Sequence, residues 1–332
     1  MLSQWFVAYS SANYLPMLSH ATATLGVLVT LLVTHTASTT QASSSTPHPT
    51  TASHNSTTRT TYRVPTMDIT DKTVDVYYPS GAAASGRRFP LISFAHGLAG
   101  GGSVDWLAYN PLLSHIASHG YIVASPRACD LGCAEHCRTL WGDPPCWGNY
   151  YQEQLKVLAW AQTNASRADP VMSAVNHTVG YGVSGHSMGG QATLFSSSFE
   201  NATRHNIKAA VMHHAFTDSE YPAPTVPFLA FTGTYDVVAF PEQTQRFFDA
   251  AATAGKVKHR GLVNKKDASH LEPIFYTNDV ALATYTSAWM KLYLEGKDTE
   301  HGVDYRSLLY GTASKDSLCN GGDGALKTCI VL

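Results

Sequence analysis

The sequence predicts an α/β domain, a mostly parallel central sheet flanked by helices with no large lid domain, and three observations lead to it. Between residues 74 and 294 short apolar runs alternate with longer helix-patterned segments, the order expected of strands joined by crossover helices. Of the 332 residues 44% are apolar, enough to cover both faces of such a sheet. A glycine-rich turn, Gly185-His186-Ser187-Met188-Gly189-Gly190, stands between a strand-like run and a helix-like one.

Strands are expected over residues 74–79, 90–95, 121–125, 179–184, 207–213, 227–233 and 257–263, brief apolar runs of the kind buried on both faces. Asn110, Pro111 and Gly120 punctuate a helix, with Asn110 as its N-cap, Pro111 as its first residue and Gly120 as its stop. Asn149 precedes another, in which Tyr151, Leu155, Leu158 and Gln162 share a face. Further helices are expected over 188–199, 242–254 and 279–294.

The ends of the chain have a different composition. No charged residue precedes Arg59, and the apolar run 25–33 is far too short to span a bilayer. Residues 1–37 are read as a signal peptide, with Met17 as an alternative start, so no stable transmembrane span is expected after cleavage. From Thr34 to Thr61, 17 of 28 residues are Ser or Thr, and 38–61 is read as a disordered spacer. The α/β domain is assigned to 62–298 and a Cys- and Gly-containing tail to 299–332. Sequons at Asn55, Asn164, Asn176 and Asn201 and an even count of six cysteines point to the secretory pathway, with an organelle leader as the alternative. Cys319 and Cys329 are expected to pair, and two further disulfides are expected among Cys129, Cys133, Cys137 and Cys146. The C-x3-C-x3-C spacing fits no compact zinc module, so no metal is expected. With 22 basic and 24 acidic residues the net charge is −2, which leaves no field to hold nucleic acid. A monomer is expected.

The chemistry begins at Gly185 to Gly189, which fits G-x-S-x-G, the tight strand-to-helix turn that exposes a nucleophilic serine. A serine hydroxyl is a poor nucleophile at neutral pH and needs a base and an orienting acid, which follow in the order acid, histidine in this kind of sheet. Asp236 lies just past the expected strand 227–233 and His270 past 257–263, at the sheet edge where reacting groups collect. Asp218 and Asp267 are the alternatives for the acid. Oxyanion donors are expected from the backbone amides of Met188 and Leu98, the latter in a loop continued by Gly100, Gly101 and Gly102. His186, Trp106, Phe216 and Tyr235 are the expected substrate contacts, with packing beneath the turn as the alternative for His186, whereas His213 and His214 are read as satisfied strand-end histidines, with lining the pocket as the alternative.

The blocks F-A-H-G at 94–97, L-L-S-H-I-A-S-H-G-Y-I-V-A-S-P at 112–126, G-H-S-M-G-G-Q-A-T at 185–193, V-P-F-L-A-F-T-G-T-Y-D at 226–236 and A-S-H-L-E-P at 268–273 carry a resemblance. Over residues 74–294 the chain resembles the α/β-hydrolase branch that holds chlorophyllases, cutinase-like polyester hydrolases and platelet-activating-factor acetylhydrolases. The resemblance implies a serine carboxylic-ester hydrolase of α/β-hydrolase fold that needs no cofactor, with Ser187, Asp236 and His270 as triad and Leu98 and Met188 as oxyanion amides. Met188 stands where chlorophyllases commonly carry Arg and is closer to the polyester hydrolases, which usually have an aromatic residue where Leu98 stands. A hydrophobic or bulky ester, small or polymeric, is the expected substrate. A catalytically inactive relative serving as a secreted binding module is the alternative.

Overall fold

A computed structural model of the chain describes residues 54, 56–64, 73–97, 105–127, 150–217, 221–255, 257–274, 281–312, 315–320 and 326–332, the side chains of 105–107 excepted. The apolar runs form the middle of a sheet. Strands β3 (Leu91–Ala95), β4 (Ile122–Pro126), β5 (Tyr181–His186), β6 (Ile207–His213), β7 (Phe228–Tyr235) and β8 (Arg260–Ser269) run parallel, in the spatial order β4-β3-β5-β6-β7-β8. On one side β2 (Thr73–Pro79) joins β4 antiparallel and β1 (Thr57–Arg63) joins β2. On the other, β11 (Leu326–Val331) pairs antiparallel with β8, giving nine strands among the described residues. A small ribbon of β9 (Thr299–Glu300) and β10 (Val303–Asp304) stands apart from the sheet.

Alternate residues of each strand enter opposite cores, as the period of two requires. In β3, Leu91 and Ala95 face one layer, and Ile92 and Phe94 the other. Helices α2 (Tyr150–Ala161), α4 (Met188–Ser196) and α6 (Pro241–Thr253) supply Leu155, Leu158, Leu194 and Phe247 to the first layer. Helices α1 (Asp105–Ser118) and α7 (Ala281–Tyr293) supply Leu112, Ile116, Tyr285 and Trp289 to the second. Short helices α3 (Asn164–Ala168), α5 (Phe199–His205) and α8 (Tyr305–Tyr310) complete the connections. A mostly parallel sheet with helices on both faces is the expected α/β-hydrolase arrangement. Among the described residues no helix is long and apolar enough to cross a membrane.

Four sequence expectations require correction. The segment 38–61, read as a disordered spacer, contains most of β1. Its polar T-T-R-T-T-Y-R suits a half-exposed edge strand, because threonine is β-branched. Tyr62 packs on Trp160 with ring centroids 5.4 Å apart and donates to Asp169 at 3.0 Å, while Thr61 and Arg127 satisfy the buried Asp75 of β2. The domain also does not end at 298, since β11 from the expected tail closes the sheet. Pro111 lies inside α1, which starts at Asp105, so it interrupts one turn-to-turn hydrogen bond rather than opening the helix. The helix expected over 188–199 ends at Ser196, and α5 follows as a separate element.

The expected disulfide joins Cys319, in the turn Leu318–Asn320, to Cys329 of β11. Cys129, Cys133, Cys137 and Cys146 lie outside the described residues, as do Asn55 and the segment read as a signal peptide.

Candidate active site

The site is built from the carboxyl ends of β5, β6, β7 and β8. Where β5 meets α4, Ser187 takes φ 57° and ψ −119°, a backbone conformation that costs an L-residue of order 1–3 kcal/mol. Its N–H donates to the His213 carbonyl at 3.0 Å, and its own carbonyl accepts from the amides of Gly190 (2.9 Å), Gln191 (3.2 Å) and Phe216 (3.0 Å). The glycines of the motif are required by crowding. A Cβ on Gly185 would lie 2.1 Å from the Gly189 carbonyl oxygen, and one on Gly189 would lie 1.9 Å from that of Ala95. The pentapeptide therefore encodes a turn with no room for a side chain two residues before or two residues after the serine.

Asp236 follows β7 and His270 follows β8. The two strands approach closely at Gly233, where a Cβ would lie 2.2 Å from the Ala268 carbonyl oxygen. Ser187 Oγ donates to His270 Nε2 at 2.8 Å, and His270 Nδ1 donates to Asp236 Oδ2 at 2.9 Å. The other carboxylate oxygen, Oδ1, accepts from the amides of Val238 (3.0 Å) and Ala239 (2.7 Å). All three side chains are buried. Burial alone would raise the Asp236 carboxyl, but hydrogen bonds from His214 and His270 outweigh it and hold the group below the usual carboxylate range. Burial lowers His270, against the opposing pull of Asp236, and keeps the ring neutral and able to accept a proton.

Two hydrogen-bonded lines converge on this trio. His214 Nδ1 donates to the same Asp236 Oδ2 at 2.8 Å, its Nε2 lies 3.0 Å from Glu272 Oε2, and Lys265 Nζ pairs with Glu272 Oε1. On the other side the Gly97 amide donates to Tyr109 Oη at 2.9 Å, Tyr109 donates to His186 Nδ1 at 2.7 Å, and His186 Nε2 donates to the His270 carbonyl at 2.8 Å. His186, expected to touch substrate, is therefore buried beneath the turn. Its side chain follows the inward alternation of β5, and burial with the nearby histidines holds it well below its ordinary pKa. Sequence reasoning singled out neither Glu272 nor any pairing of His214 with the acid. The available signal was a second histidine at the end of β6 and an acid two residues after His270.

Of the remaining expected site residues, Met188 opens α4 directly after Ser187, so its amide belongs to the first turn, where helix N–H groups have no intrahelical acceptor. Leu98, Asp218 and the side chain of Trp106 lie outside what is described. Phe216 is half-buried beside Ser187, Tyr235 is 63% exposed next to Asp236, and Asp267 is exposed near the end of β8. Ligand-type atoms of His214, Asp236 and His270 lie within 4.8 Å of one another. Both imidazoles turn a donor Nδ1 to the carboxylate, so the trio is satisfied by its own protons.

None of the curated proteins compared with the chain matches it. A family model described as PET hydrolase-like matches residues 37–313, a span that takes in the glycine-flanked serine, the acid, the histidine and nearly all of the sheet. The chain belongs to the PET hydrolase-like family of α/β-hydrolases.

Proposed function

We propose that the protein is a serine carboxylic-ester hydrolase that works by two-step acyl transfer. Ser187 Oγ attacks the ester carbonyl while His270 Nε2 takes its proton. His270 then returns that proton to the departing alcohol oxygen, leaving the acyl group on Ser187. Water gives a proton to His270 and attacks the acyl carbonyl, and the acid leaves as Ser187 recovers its hydrogen. Asp236 orients the Nδ1–H of His270 and stabilises the imidazolium. The oxyanion is met by backbone amides, those of Met188 and of Leu98, which follows β3 in the sequence. No cofactor takes part in these steps.

The observation that carries this reading is the continuous donor line from Ser187 through His270 to Asp236, at 2.8 and 2.9 Å, anchored on a strained turn. A hydrophobic or bulky substrate is supported by the end of β7 and the segment that follows it, where Tyr235, Val237 and Phe240 are 63%, 66% and 53% exposed on either side of the buried Asp236. Hydrolysis of p-nitrophenyl esters of short and long acyl chains, and of a powdered aromatic polyester, tests it. Ser187→Ala should lower kcat/KM about a millionfold, because members of such a trio act as a unit. A variant that keeps most of the activity would refute the assignment, and a wild-type protein that accepts acetyl esters alone would refute the bulky substrate.

A further inference from the structure

Ring nitrogens report charge through their partners. A neutral imidazole has one donor and one acceptor nitrogen, so it cannot face a carboxylate oxygen with both. His214 does face one with each, Asp236 Oδ2 at 2.8 Å and Glu272 Oε2 at 3.0 Å, so a second proton must lie on the ring, on Glu272 or on Asp236, and the donors His270, Val238 and Ala239 hold Asp236 as the carboxylate. Lys265 Nζ holds the other oxygen of Glu272, which favours the carboxylate and leaves the proton on His214. We propose that His214 is a positioning residue for the triad, an imidazolium pinned between Asp236 and the Glu272–Lys265 pair, so that the acid's charge is already shared before His270 takes the serine proton. The inference rests on the triad reading above.

The placement is built into the sheet. His214 directly follows β6, donates its amide to the Phe231 carbonyl of β7 at 2.8 Å, and takes φ 46°, one of the few non-glycine residues in the left-handed region. Its side chain is fully buried, which an unpaired imidazolium would not tolerate. The groups that face it are Asp236 from the loop after β7, Lys265 from β8, His270 and Glu272 from the turn after β8, His186 from β5 and its neighbour His213. Burial drives His213 down to about 3 and His186 well below its ordinary value, so neither adds charge. For His214 burial opposes the charge, and the two carboxylates outweigh it and raise the group to about 9. The resulting cation, its ring centroid 6.1 Å from that of His270, lowers His270, acting with burial against Asp236.

His214→Gln tests this, because glutamine keeps a donor for Asp236 and removes the charge. The acid limb of kcat/KM should move up by about one to two pH units, the effect of one charge at this separation in an effective dielectric of about 20. A residue that merely packs would lower activity without moving the limb, and a limb within about 0.3 units of wild type would overturn the proposal. Nitrogen-15 NMR of the wild-type imidazoles decides the matter even if the variant does not fold. Two protonated ring nitrogens on His214 at pH 7 are expected, and a single one would overturn the proposal. An active enzyme with a neutral His214 sinks this inference alone, whereas a protein with no esterase activity sinks the triad reading and this inference together.

Discussion

Asp236 accepts four hydrogen bonds, two imidazole donors on one oxygen and two backbone amides on the other, and that arrangement decides what a neutral replacement does. Asparagine supplies one acceptor oxygen and one NH2, so either orientation sets donor against donor. Asp236→Asn should therefore lower kcat about ten-thousandfold, as expected when the histidine loses its orienting acceptor. Steady-state kinetics on a soluble ester checks this, and a drop under tenfold would show that the histidine keeps its orientation without the charge. At this scale Ser187, Asp236 and His270 were legible because the motif and the strand ends fix their order along the chain. The line from His214 to Glu272 was not, since it joins residues 58 positions apart from the ends of β6 and β8, which lie on either side of β7. His186 was misread for a related reason: being next to the nucleophile in sequence says nothing about which face of β5 its side chain takes.

Within the elements, crowding at the turn between β5 and α4 is the tightest constraint in the site. Gly189→Ala would drive a methyl into the Ala95 backbone carbonyl, and because backbone stands in the way the neighbour cannot yield by changing rotamer. The variant should lose roughly 3 to 5 kcal/mol of stability, at the severe end for overpacking. Chemical denaturation followed by circular dichroism measures it, and a loss below about 1 kcal/mol would mean that the turn relaxes. The central strands were readable because burial on both faces leaves short apolar runs. The two outer strands were not: β1 is a threonine-rich edge whose pattern follows its exposure, and β11 lies past the last apolar helix and pairs with β8. The proline in α1 misled because it marks a helix start more often than an interior, and the structure tolerates the lost hydrogen bond at Pro111.

For the molecule as a whole, the sheet gathers into one buried cluster side chains that are distant along the chain. The serine leaves β5, the acid leaves β7 and the histidine leaves β8, all at the carboxyl edge, where parallel strands place their outgoing loops. Composition and periodicity led to the layered α/β class, and the spacing of the motifs led to the edge. The charge network around Asp236 required coordinates, because it depends on how neighbouring strands align. The reactivity proposed for Ser187 is thus a property of the folded sheet rather than of its pentapeptide. Labelling with a fluorophosphonate probe followed by peptide mapping tests this most directly. A single modified residue, Ser187, is expected in the native protein, with labelling lost in His270→Ala and after unfolding. A native protein that stays unlabelled, or that carries the probe at another serine, would contradict it.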